Sequence, residues 1–165
     1  MAEPKMQADF TPRIEHEDAM LIAGSQRHYT KQNLSELSAQ WERLPFGNIP
    51  GQTGRAAYGV IFDGKENECD FEYLTGVEVT SFDNLPADFA RMSIPAHRYA
   101  KFTHVGNVSK LKETIDAVAR NWLSKAKDMV GTPAKGQPWM IEFYGEDFNA
   151  KSGTGTIEIW FPVKQ

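Results

Sequence analysis

The two halves of this chain repeat one another, and a repeat restricts the possible folds more than any single motif does. Trp41 and Trp122, Leu34 and Ile115, and Tyr58 and Trp139 are all separated by the same interval, close to half the length of the chain. The run Val77-Glu78-Val79 returns at nearly that interval as Ile157-Glu158-Ile159. A helix, a middle strand and a last strand thus recur in order, within one residue of a common offset. Each copy has to bury the same faces, so the chain is expected to build two like units related by a pseudo-twofold axis.

Local patterns supply the elements of each unit. An apolar run over residues 19–24, closing at Gly24, predicts a strand. Asn33 followed by Glu36 has the spacing of a capping box, ahead of a helix with Leu34, Leu37, Trp41 and Leu44 on one side. Pro45 and Gly47 stop that helix. Residues 58–63 and 71–79 then read as strands joined by a polar turn. The second half gives strands at 90–94 and 97–105 around Pro95, and a helix capped by Ser109 with Leu111, Ile115, Val118, Trp122 and Leu123 on one face. Strands at 139–144 and 157–161 complete it. The order is β-α-β-β twice, in halves of about 14–85 and 86–165, forming one domain behind an arm at 1–13. Hairpin strands with two helices make an α+β fold, a curved antiparallel sheet with both helices on one face and a cleft between the halves.

Composition narrows the function. A net charge of −4 without any basic run of five argues against direct nucleic-acid binding, which needs clustered Lys and Arg. The single cysteine, Cys69, leaves no intramolecular disulfide and no Cys-rich zinc site. His97 and His104 are seven apart on a strand and so face opposite sides, which makes no metal pair. No cofactor is implied. No apolar stretch has the length of a membrane span and no leader-like segment opens the chain, so the cytoplasm is the default location. Aromatic residues are plentiful, with four Trp, five Tyr and ten Phe. They can fill a core or line a pocket for an apolar or cationic ligand.

One residue departs from the repeat. Glu142 interrupts the apolar strand Trp139-Met140-Ile141-Glu142-Phe143-Tyr144, where the first half has Ile61. Alternation puts Met140, Glu142 and Tyr144 on one face and Ile141 and Phe143 on the other. If Ile141 and Phe143 pack under the helices, Glu142 points out of the opposite face beside an aromatic neighbour. A carboxylate there is costly to ionise unless it meets a cation, and a poorly hydrated organic cation would suit it. Otherwise that face is solvated and Glu142 is an ordinary surface residue. Glu158 shares a face with Trp160 and admits the same two readings.

These strands, read in order, carry a family likeness. Tyr58-Gly59-Val60, residues 70–79 (DFEYLTGVEV), residues 94–106 (IPAHRYAKFTHVG), Trp122-Leu123, Ile141-Glu142-Phe143-Tyr144 and residues 157–163 (IEIWFPV) together make the chain similar to the GyrI-like, or AraC-type, effector-binding domains. Within that family it resembles the stand-alone integron-cassette effector-binding proteins. The likeness covers roughly residues 13–163. It implies paired β-α-β-β units with a ligand cleft between them, in which a strand glutamate followed two residues on by an aromatic meets cationic ligands. Glu142 with Tyr144 matches that position, and Tyr58, Trp139 and Trp160 fit as aromatic walls.

Three functions follow from the likeness. The first is a non-catalytic module that binds or senses a small, lipophilic cation, working alone or with a separate protein partner. The second is a hydrolase of reactive electrophiles, with Glu142 as general base; the chain has no Gly-x-Ser-x-Gly elbow, His-Glu-x-x-His or phosphate loop to strengthen that reading. The third is a protein-interaction module of the kind that binds DNA gyrase. About a dozen polar residues precede the domain, too few for the DNA-binding region that many relatives carry.

Overall fold

The computed structural model describes residues 11–45, 47–64 and 69–164. The arm expected over residues 1–13 lies outside the described residues up to Phe10, and Arg13 already belongs to a strand. Eight strands form one antiparallel sheet: β1 (Arg13–Glu17), β2 (Met20–Thr30), β3 (Ala57–Phe62), β4 (Asp70–Val79), β5 (Ala90–Ile94), β6 (His97–His104), β7 (Pro138–Tyr144) and β8 (Ile157–Pro162). The α-helices are α1 (Leu37–Glu42), α2 (Leu111–Asn121) and α3 (Lys127–Val130).

The strand order, β1-β6-β8-β7-β3-β4-β2-β5, displays the duplication. Reading outward from the β7–β3 seam, β8 answers β4, β6 answers β2, and β1 answers β5. Val60 pairs with Ile141, its own counterpart in the repeat, so the pseudo-twofold axis passes through that pair. The outermost strands are exchanged. β1 precedes β2 in the chain but pairs with β6, and β5 precedes β6 but pairs with β2. Each half therefore closes the sheet edge of the other.

The register corrects one alignment. Across the β3–β4 and β7–β8 ladders, Val60 faces Leu74 while Ile141 faces Trp160. Leu74 is thus the counterpart of Trp160, and Glu72 rather than Glu78 is that of Glu158. The β7–β8 connection is longer than the β3–β4 connection, so the last strand shifts along the sequence while every ladder pair is kept. Sequence similarity between Val77-Glu78-Val79 and Ile157-Glu158-Ile159 reflects shared β alternation.

α1 and α2 cover the same face. Leu111, Ile115, Val118 and Trp122 pack on Ala100, Phe102, Met140, Ile157, Ile159 and Phe161. On the first half, α1 is fixed chiefly by polar bonds. The buried Gln40 amide donates to Ser25 O, Tyr73 O and Thr75 Oγ1, and its oxygen accepts from Tyr29 OH. The expected caps are not formed. Asn33 Oδ1 accepts from the Thr30 amide instead of a helix amide, and Asn107, not Ser109, caps the 3-10 turn Val108–Lys110 that leads into α2, by accepting from Ser109 N. The opposite face curves over its own core of Met20, Ile22, Val60, Leu74, Met92, Ile94, Tyr99 and Ile141. No helix among the described residues is long and apolar enough to cross a membrane.

Candidate functional site

The six residues singled out in the sequence fall on two faces of the sheet. Glu142 and Tyr144 lie on the helix-covered face, with Met140. Ile141 and Phe143 lie on the open, curved face, with Tyr58 and Trp160. The expected facing of β7 is therefore reversed. The reason is that both faces of this strand are apolar, so alternation fixes which residues travel together without fixing which set meets the helices. Trp139 stands apart. It is the extra residue of a bulge, where Ile61 faces Met140 and Phe62 faces Pro138, and it does not reach the cavity described below.

On the helix face Glu142 is almost fully buried. Its Oε1 accepts from Tyr73 OH at 2.7 Å and from Tyr144 OH at 3.0 Å, and Trp41 Nε1 donates to Tyr73 OH at 3.0 Å. Trp41 stands edge-on to Tyr144, with ring centroids 5.2 Å apart. Room for the carboxylate comes from Gly59, directly across the ladder. A Cβ there would sit 2.8 Å from Glu142 Oε1 and 2.5 Å from Tyr73 OH. Burial pushes the Glu142 carboxyl up, and the two tyrosine hydroxyls pull partly back. Tyr73 and Tyr144 are raised as well, by burial first and then by the Glu142 charge. Among the described residues no cation pairs with this carboxylate, and it is not among the residues lining the cavity described below.

The open face is different. Here a cavity of about 460 Å³ lies across the junction of the halves. Tyr58, Phe143 and Trp160 form its aromatic side. Phe143 and Trp160 are stacked at 5.3 Å, and Tyr58 meets both edge-on at 5.5 and 6.2 Å. Glu15, Glu17, Glu78, Glu146 and Glu158 supply five carboxylates, against which stand only Arg13 and Lys101. Lys101 is 4% exposed, and its Nζ lies 4.0 Å from the Trp160 ring centroid while pairing with Glu15 and Glu17. Arg13 bonds Glu158 at 3.1 Å and Glu15 at 3.0 Å. Trp160 Nε1 donates to Glu158 Oε1 at 2.8 Å.

These pairings leave an acidic surplus. Glu78 and Glu146 have no cation against them among the described residues. Burial raises the Glu78 carboxyl, and the charge of Glu17 raises it further. Glu15 is held below the ordinary carboxylate range by bonds from Arg13 and Lys101. Burial, then the charge of Glu17, lifts the hydroxyl of Tyr99, which packs on Trp160, to about 12. No group of three or more His, Cys, Asp or Glu able to hold a metal occurs among the described residues.

Of the residues singled out in the sequence, Tyr58, Trp160 and Glu158 line this cavity. Sequence reasoning missed Phe143, Lys101, Glu78 and the whole of β1. Lys101 did carry a signal, since it interrupts the apolar run Tyr99-Ala100-Lys101-Phe102 as Glu142 interrupts β7. β1 carried none. Its sequence, Arg-Ile-Glu-His-Glu, has a single apolar residue and becomes a strand only by pairing with β6.

Known proteins share this architecture. Residues 13–163 match the family model described as Cass2, integron-associated effector binding protein. Solved structures have the same fold. SAV2435, bound to tetraphenylphosphonium, superposes with a TM-score of 0.67 at 17% identity, covering 93% of each chain. An integron cassette protein from the mobile metagenome of Vibrio cholerae superposes with a TM-score of 0.59 at 16% identity, covering 93% of this chain and 96% of that one. The transcriptional regulator BrlR of Pseudomonas aeruginosa is 30% identical over 69 residues, which is 42% of this chain and 25% of that protein. The chain thus spans far less than the full length of this curated relative.

Proposed function

Because the chain belongs to the Cass2 family of integron-associated effector binding proteins, we propose that its open-face cavity binds a small, lipophilic organic cation. The observation that carries this reading is the cavity's own chemistry. A stacked aromatic side faces five carboxylates and two cations, a net excess of negative charge in a partly water-excluded space. The volume, about 460 Å³, falls among those of small-molecule sites. Aromatic faces attract a cation by about 0.5–2 kcal/mol each, and most strongly when the cation is poorly hydrated. Hydrated alkali ions keep their water and gain little from such walls.

Tyr58, Phe143 and Trp160 supply the apolar contact in this reading, and Glu78 and Glu158 the charge. The complex of SAV2435 with tetraphenylphosphonium supports it as a precedent from the same fold. Glu142 takes a supporting part, since its bond from Tyr73 ties β7 to β4 behind the cavity wall. The hydrolase alternative gains nothing from the geometry, because a general base needs reach to substrate or water and Glu142 does not line the cavity. The sensing role, alone or through a separate protein partner, rests on the family alone.

The test is thermal unfolding with tetraphenylphosphonium. Binding should raise Tm with ligand concentration, and Glu158→Gln should reduce the rise while Glu142→Gln preserves it. Loss of the shift in Glu142→Gln alone would move the site to the helix face.

A further inference from the structure

The two outermost strands hold equivalent places and are fastened by different means. Arg13 faces Lys101 and Glu17 faces His97, while Met20 faces Ile94 and Gly24 faces Ala90. One register therefore runs through both ladders, and residues 13–24 and 90–101 form a single antiparallel ribbon. It is broken where Asp18 and Ala19 stand opposite Pro95 and Ala96, all four exposed. A twofold through that break exchanges β1 with β5. Arg13, Glu15 and Glu17 take the places of Ala90, Met92 and Ile94, and Lys101 takes that of Gly24.

On β5 these positions are apolar and sunk in the open-face core, with Met92 9% and Ile94 2% exposed. On β1 they are charged, and Ile14, the strand's one apolar residue, is 40% exposed. Buried apolar area holds β5. Among the described residues β1 is held by its ladder with β6 and by ion pairs. Lys101 Nζ pairs with Glu17 and, at 3.1 Å, with Glu15. Arg13 bonds Glu158 at 3.1 Å and Thr103 at 3.2 Å.

We propose that β1 is a releasable strap, pivoting at Asp18–Ala19 and latched by Lys101, a device of the fold that needs no ligand. What separates it from β5 is what water can replace. Releasing β5 exposes Met92 and Ile94 with nothing to compensate. Releasing β1 exposes an ammonium, a guanidinium and carboxylates, and their solvation offsets the ion pairs given up. A small residue, Ala19, sits at the pivot and leaves room for the change of dihedral angles, whereas Pro95 fixes φ on the opposite strand. The strap also walls the cavity, so its release takes Arg13, Glu15 and Glu17 out of the lining and opens that side to water.

Native-state hydrogen exchange, followed by NMR on the intact protein in low denaturant, tests the strap. The ladder amides of residues 13–17 should exchange about a hundredfold faster than those of residues 90–94, with almost no dependence on denaturant, as local opening requires. Equal rates, or β1 amides that share the denaturant slope of the core, would overturn the proposal. This comparison uses the unaltered chain, so it holds however well a variant folds. The latch is read by repeating the measurement on Lys101→Met. Exchange in β1 should quicken about tenfold there while exchange in β5 stays as it was. Unchanged or slower exchange in β1, or an equal rise in β5, would overturn the role given to Lys101.

Discussion

The two faces of β7 each set a charge among aromatic rings, and they do so to opposite ends. On the helix face Glu142 is closed in by Tyr73, Tyr144 and Trp41, with hydroxyl donors but no cation. On the open face the charges outnumber their partners, and a cavity adjoins them. Among the described residues every buried side-chain polar atom has a hydrogen-bond partner, so neither face carries an unmet buried group. In the proposed reading, what separates a structural charge from a binding one is surplus. Glu142, completed by its own chain, fixes packing, whereas a cavity with more carboxylates than cations beside an open aromatic wall would attract a ligand.

The comparison can be broken in graded steps. Trp160 touches Tyr58, Tyr99 and Phe143 and is 3% exposed. Trp160→Ala should destabilise the fold by about 3–5 kcal/mol in denaturant unfolding and abolish the ligand shift. Retention of the shift in the folded variant would remove the aromatic wall from the account. Gly59→Ala forces a methyl against Tyr73 OH and Glu142 and should cost about 1–3 kcal/mol, leaving affinity for tetraphenylphosphonium unchanged. Weakened binding in that variant would join the two faces into one site.

A third effect is a slope against pH. The raised Glu142 carboxyl means that the folded chain holds this proton more tightly than the unfolded chain does. The stability it contributes is complete below the ordinary value of 4.5 and is lost as pH climbs through the raised value. Relative to Glu142→Gln, the parent protein should therefore lose stability as the pH rises above 4.5. Parallel curves would contradict a buried carboxylate without a cation. The smallest effect belongs to the part-exposed Glu78, whose replacement by Gln should weaken cation binding by no more than about fivefold. A larger loss would make it the principal counter-ion in place of the shared acidic surplus.

Much of this was legible in the sequence because the chain is duplicated. The interval between Tyr58 and Trp139 is also the one between Val60 and Ile141, the pair at the axis, and the strands from β2 to β8 stand near their expected places. The facing of β7 was not legible, since a strand apolar on both sides has no polar edge to orient it. The exchange of β1 and β5 was not legible either. Pairing between strands distant in sequence depends on which edge is left open, and Arg13–Glu17 shows no apolar period of its own. Consequently the residues that complete the acidic side of the cavity, Glu15 and Glu17, became visible only once the sheet was assembled. Tyr58, Trp160 and Glu158 were recoverable because aromatics and a carboxylate on a sheet strand keep their face under any register that preserves alternation.

A crystal structure of the chain with tetraphenylphosphonium tests the central claim most directly. The account predicts the phenyl rings against Tyr58, Phe143 and Trp160 on the open face, with α1 still seated through Gln40 and the Glu142–Tyr73–Tyr144 bonds unbroken. A ligand found under a displaced α1, with its charge against Glu142, would contradict it.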